Sequence, residues 1–130
     1  MLGTALQISA SGMAAQKARL DVIAANLANV DTPGYHRKTV QFAEELKAAA
    51  QKLPFTTGGS SAIGGVKITG LTEDTTPVRI MAETGLQSSN VEVVTEMVDM
   101  MAAVRSYEAN VSAFNATKEM MQRALQIGKA

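Results

Sequence analysis

The one histidine, His36, stands in "YHRK" beside Arg37 and Lys38. An imidazole can move protons or hold a metal near neutral pH, but alone next to two cations it reads as a solvated loop residue. Cysteine is absent, which removes disulfides, thiol chemistry and nearly every zinc or haem arrangement. The close carboxylates are Glu44–Glu45, Glu73–Asp74, and Glu92 with Glu96. The first two pairs read as surface. The third reads as electrostatics at a helix start, where acidic groups meet the positive end of the dipole. General acid–base work needs groups converging on a pocket, and nothing in these spacings predicts one. Gly58–Gly59 and Gly64–Gly65 lack the Gly-Lys-Ser/Thr ending of a phosphate loop, and no Gly-x-Ser-x-Gly elbow occurs. "NVS" at Asn110 and "NAT" at Asn115 match the glycosylation acceptor, yet both fall inside a predicted helix rather than a surface loop. The expectation is a protein with no enzymatic activity, no cofactor and no metal.

The totals agree. With 130 residues and zero net charge, the chain has no basic field to hold nucleic acid or an anionic membrane. Hydrophobic residues make up 46%, but 21 of those positions are alanine, and the only aromatic residues are three Phe and two Tyr. A compact core would therefore bury little area per residue. No stretch approaches the 18 or so apolar residues of a membrane span. "MLGTALQISASGMAAQK" lacks a basic n-region, and Gln7, Ser9 and Ser11 interrupt any apolar core. Export, where it occurs, is expected without a cleaved signal.

Three zones organise the sequence. Leu2 to Asn29 reads as helix, with Leu6, Met13, Leu20 and Leu27 recurring every seven residues. Its other faces carry Ala5, Ala10, Ala14, Ala15, Ala18, Val22, Ala25 and Ala28. A helix this small and apolar all round expects neighbours on more than one side. Gly12 costs about 1 kcal/mol against alanine in a helix, which predicts a close approach of another backbone there.

The third zone, Asn90 to about Gly128, is predicted as a longer helix. Ser89 and Glu92 fit a capping box. Met97, Met100, Val104, Tyr107, Val111, Phe114, Met121 and Leu125 mark three- and four-residue steps. Glu92, Glu96 and Asp99 suit the start of the dipole, Lys118, Arg123 and Lys129 its end, and Gly128 a terminator. Methionines at 97, 100, 101, 120 and 121 could line an adaptable groove, but helical spacing favours packing against neighbouring helices.

Between the helices, 37–88 reads as a connector. Val40 to Phe42 looks extended, Ala43 to Lys52 could form a short helix, and 56–65 is a Gly/Ser/Thr linker. "VKI" (66–68) and "VRIM" (78–81) are predicted strands of a small ribbon. The fold class is mainly α: two long terminal helices forming a coiled-coil pair, with a small irregular β-rich insert, so that 1–36 and 89–130 make one discontinuous helical assembly domain. Such a shape buries too little as a monomer, which points to assembly with copies or relatives.

"ANLANVDTPGY" (25–35) ends the first helix. Pro33 disfavours helix at Thr32, and Pro-Gly suits a type II turn with Gly34 at positive φ. Asn29 and Asp31 can bond the freed backbone groups, and Tyr35 can fold back. These residues also resemble the signature Asn-x-x-Asn-x-x-Thr-Pro-Gly-Tyr of the bacterial flagellar axial proteins, the rod, hook and hook–filament junction family. Asn26, Asn29, Thr32, Pro33, Gly34 and Tyr35 match it in full. The C-terminal run, with Asn90-Val91, Glu96-Met97-Val98, Arg105-Ser106-Tyr107-Glu108-Ala109-Asn110 and the closing "ALQIGK", resembles the family's proximal rod members. The two matches cover about 80 of the 130 residues.

The resemblance implies a structural, non-enzymatic subunit of the proximal rod of the flagellar basal body, which crosses the periplasm. Such subunits leave by the flagellar type III apparatus without a cleaved signal, and stack their terminal helices as coiled-coil layers of a torque-transmitting helical tube. Implied partners are copies of itself, the related rod proteins B, F and G, and the adapter FliE. Assembly contacts are expected at Leu6, Met13, Leu20, Leu27, Met97, Met100, Val104, Tyr107, Val111, Phe114, Met121 and Leu125. The alternative is a soluble dimeric two-helix adaptor or export chaperone, which would leave the nearly uncharged first helix partly exposed.

Overall fold

The computed structural model describes residues 2–44, 65–78, 80 and 83–129. The order is helix α1 (Leu2–Ala28), strand β1 (Lys38–Glu44), strand β2 (Val66–Glu73) and helix α2 (Val93–Ile127). The chain is thus mainly helical, with a two-stranded antiparallel sheet between the helices.

The helices lie side by side and antiparallel. Asn26 near the end of α1 meets Glu96 near the start of α2, while Gly12 faces Asn110. Continued in that register, Leu2 falls opposite Met120, so α2 runs on past the start of α1 by roughly two turns. Beyond Met121 every described residue of α2 is exposed.

The ribbon lies against α1 as well, where the backbone amide of Val66 donates to the Ser11 hydroxyl (3.2 Å). α1 therefore has α2 on one side and the ribbon on another. Part of the cover demanded by its uncharged faces comes from within the chain. Small residues make this possible: Ala15 and Ala103 are buried, and Gly12 leaves room for the Asn110 side chain. The close neighbour of Gly12 is thus a side-chain amide and not the backbone expected from sequence.

Three other expectations are corrected. The partner of β2 is β1, from Lys38↔Glu73 to Glu44↔Val66, rather than the 78–81 segment. Among the described residues of that segment, Ile80 makes only an isolated bridge to Gln87. A hairpin over 66–81 would have had to turn through Asp74–Pro77. Instead Asp74 bonds Arg37 backbone to backbone (2.8 Å), which extends the β1 pairing. A bulge lies between Gln41 and Phe42, where Thr69 is the extra residue and its hydroxyl bonds Gln41 O (3.3 Å).

Ala43 and Glu44 are strand, not the start of a helix. The remainder of the predicted 43–52 helix, and nearly all of the 56–65 linker, lie outside the described residues.

Ser89 does not cap α2. The cap position is Glu92, in extended geometry and without a side-chain cap bond, and the helix begins at Val93. The Ser89 hydroxyl accepts instead from the Val91 amide (3.2 Å). At the far end Gly128 is indeed the terminal residue, but with right-handed φ (−70°), and no basic residue occupies the last turn.

The centre of the molecule is polar. Ala15, Ile23, Val40, Val91 and Ala103 are the buried apolar residues described, yet the largest fully buried side chains are Glu96 (0% exposed) and Asn26 (1%).

Candidate assembly junction and interaction surface

The turn that ends α1 is built as its residue types require. Asn29 closes the helix, its side-chain amide donating to Ala25 O (2.8 Å), and the Thr32 hydroxyl donates to Asn29 Oδ1 (3.1 Å). The Tyr35 amide returns to Thr32 O (3.3 Å) across Pro33 and Gly34, with Gly34 at φ +74°. That is the left-handed corner glycine takes without a Cβ penalty. The turn is then fixed to the chain preceding α2. Gly34 N donates to Gln87 O, and Asn90 N to Tyr35 O, both at 3.2 Å.

Beneath the turn, Asn26 uses its whole amide. Its Oδ1 accepts from the Lys38 amide (3.0 Å) and the Tyr35 hydroxyl (3.2 Å). Its Nδ2 donates to Lys38 O (2.8 Å) and to Glu96 Oε2 (3.3 Å). Both donors and both acceptor positions are filled, so Asn26 acts as a backbone-like bridge onto the start of β1. Tyr35 folds back as its ring and hydroxyl predict.

Arg37 completes the cluster. Its Nε pairs with the other Glu96 oxygen, and one terminal nitrogen donates to Asp99 Oδ2 (2.6 Å). Arg19 of α1 approaches the second Asp99 oxygen (3.8 Å). The hydrogen bond to Glu96 raises the Arg37 pKa above its ordinary value, against the opposing effect of burial and with further help from the charges of Glu96, Asp99 and Asp74. Arg37 is therefore a permanent cation.

The Arg37 amide donates to Asn90 Oδ1 (2.6 Å), while Asn90 Nδ2 reaches Asp74 O, Thr76 O and Thr76 Oγ1 at 3.3–3.4 Å. The Thr76 amide and hydroxyl hold the Asp74 carboxyl below its usual range. His36 places Nδ1 3.2 Å from Asp74 O, a structural contact within this loop stack. Among the described residues no three metal-ligating side chains group together.

Sequence reading found the turn but missed the cluster below it. The sequence places Arg37 in a loop and Asn90, Glu96 and Asp99 at a helix start. One signal was available. Glu96 lies seven residues before Ala103 and fourteen before Asn110, in phase with the face of α2 that meets α1.

The expected assembly residues divide into two groups. Leu6, Met13, Leu20 and Leu27 on α1, and Met100, Val111, Phe114 and Met121 on α2, are half-buried. Met97, Val104, Tyr107 and Leu125 are exposed. With Val94, Val98 and Met101 (72% exposed), Met97 and Val104 form an apolar stripe over the first third of α2. Met100, Met101, Val104, Arg105 and Glu108 line a shallow groove on it. Large apolar side chains exposed at helical spacing are the kind of patch that interaction surfaces carry.

The described chain is thus an antiparallel helix pair with a polar-locked turn and an apolar stripe that no described residue covers. Residues 6–36 match the family described as flagella basal body rod protein, and residues 83–127 match the flagellar basal body rod FlgEFG protein C-terminal family. The chain is 39% identical to the flagellar basal-body rod protein FlgC of Bacillus subtilis, over 95% of this chain and 96% of that one. It is 36% identical to FlgC of Salmonella typhimurium (94% of each chain) and 32% identical to FlgC of Borreliella burgdorferi (97% of each). The chain belongs to the FlgC family of flagellar basal-body rod proteins and is a structural subunit of the rod.

Proposed function

We propose that the chain occupies the proximal part of the rod, where it assembles with copies of itself, with rod proteins B, F and G and with the adapter FliE. The segments 1–36 and 89–130 act as one helical assembly domain, and 37–88 as its connector. Neighbouring subunits cover the helices in coiled-coil fashion, building a tube that carries torque across the periplasm after export without a cleaved signal. The role is structural, with no reaction to catalyse.

The observation that carries this reading is the exposed stripe Val94, Met97, Val98, Met101 and Val104, which no described part of the chain covers. Leaving such side chains in water forfeits up to about 1.5–3 kcal/mol each relative to full burial, so a packed tube is their natural setting. No described helix is long and apolar enough to cross a membrane, which fits a subunit held by protein neighbours.

The test is incorporation. Isolated basal bodies from a strain carrying a tagged chain should contain it in the rod, and crosslinks from position 101 should reach rod proteins. A discrete soluble dimer that never enters basal bodies would support the adaptor reading instead.

A further inference from the structure

We infer that the buried Asn26–Glu96–Arg37 cluster is a register key: it selects one alignment of α2 on α1 among several that apolar packing alone would accept. The seven-residue repeats create the ambiguity. α1 carries Leu6, Met13, Leu20 and Leu27 at half-buried positions, and α2 carries Met100, Phe114 and Met121 at half-buried positions, with the more exposed Tyr107 at the same spacing. Sliding one helix along the other by seven residues presents side chains of the same spacing and similar type again. Alanine-rich surfaces discriminate poorly between such alignments, because they have few large knobs to misfit.

The polar cluster has no such tolerance. In the observed alignment Asn26 reaches Glu96, and Gly12 accommodates Asn110. Slipped by a heptad one way, Gly12 faces Thr117, Asn26 faces Ala103, and Glu96 passes beyond the end of α1. Slipped the other way, Gly12 faces Ala103 and Asn26 meets the chain before α2, away from Glu96. Either slip parts Glu96 from Asn26 and from Arg37, leaving a carboxylate without its cation and one Asn26 donor without its acceptor, while the Asn26 bonds to Tyr35 and Lys38 travel with α1. A buried polar group that fixes alignment rather than adding stability is the best-attested use of such clusters.

This inference rests on packing within one chain. Rod incorporation neither supports nor overturns it.

The absence of cysteine allows a direct test on the full-length purified protein. Three reporter pairs are oxidised separately: Gly12→Cys with Asn110→Cys for the observed register, and Gly12→Cys with Thr117→Cys or with Ala103→Cys for the two slips. With the cluster intact, only the 12–110 pair should close efficiently. In a second background Asn26→Leu, Glu96→Met and Arg37→Met replace the cluster with apolar groups. The expected result there is retained helicity by circular dichroism, a several-fold fall in the 12–110 product, and new 12–117 or 12–103 product.

Sole formation of 12–110 in the apolar background would overturn the inference, since packing and the backbone bonds of the turn to Gln87 and Asn90 would then set the register without the cluster. Loss of helicity in that background would also overturn it, because the cluster would be a stabiliser and not a key. Failure of 12–110 to close with the cluster intact would remove the register itself.

Discussion

Asn26 and Glu96, 70 positions apart in sequence and the largest fully buried side chains described, meet through a 3.3 Å hydrogen bond. Each comes from the end of a helix, and each carries a second element with it. Asn26 holds the first residues of β1, and Glu96 holds Arg37. Helix end, turn, strand and second helix are thus joined at one polar node, and removing any member leaves another buried without its partner.

Arg37→Met should therefore destabilise the chain by about 3 kcal/mol, because Glu96 would stay buried with only Asn26 to answer its charge. Glu96→Gln in the same background should restore part of that loss. Urea unfolding followed by circular dichroism measures both. An unchanged midpoint for Arg37→Met would show that the ion pair contributes nothing.

Gly34 separates backbone strain from crowding. A Cβ there would meet only Gln87 Oε1, at an ordinary 3.6 Å, while φ is +74°. Gly34→Ala should cost about 1 kcal/mol and Gly34→Val more, entirely through the left-handed backbone. Gly34→Val is expected to be secreted at near-normal levels yet fail to enter the rod. Normal incorporation would show that the corner tolerates a side chain.

Exposure divides the apolar positions of α2 into two predicted behaviours. Val104→Asp, on the open stripe, should leave the free chain as stable as before and abolish rod incorporation. Phe114→Asp, at a half-buried position, should lower stability itself by several kcal/mol. Glu119→Gln, exposed and away from the stripe, should alter neither. Thermal melts beside motility assays distinguish the three, and a motile Val104→Asp strain would place the interface elsewhere.

A Cβ on Gly12 would come within 2.8 Å of the Asn110 amide nitrogen and 3.1 Å of its Cγ. Gly12→Ala alone should therefore gain little from its better helix propensity. Paired with Asn110→Ala it should gain up to about 1 kcal/mol. A double-mutant cycle reads the coupling, and strict additivity would mean that the two residues do not meet.

The two helices and the turn were legible because each rests on local rules. Seven-residue repeats fix the helices, and Thr32-Pro33-Gly34 fixes the stop. The ribbon was misassigned because strand pairing is a long-range choice: Val66–Ile68 had a near partner in sequence, and a farther one, β1, was favoured by its attachment to α1. The cluster was hidden for a related reason. Glu96 and Asp99 suit a helix start on composition alone, and only the folding back of Arg37 reveals them as counter-ions. Ser89 and Glu92 matched a capping pattern, but Asn90 between them was already committed to Arg37, Asp74 and Thr76.

In the proposed tube, the unequal described lengths of α1 and α2 would have a mechanical consequence. Among the described residues α2 continues past the start of α1, and Leu125 and Ile127 are exposed on that last stretch. Flat-ended blocks stacked in a column part along a single plane when the column is bent or twisted. Stepped blocks overlap like the halves of a scarf joint, so that a load is passed in shear along the overlap rather than in tension across a butt seam.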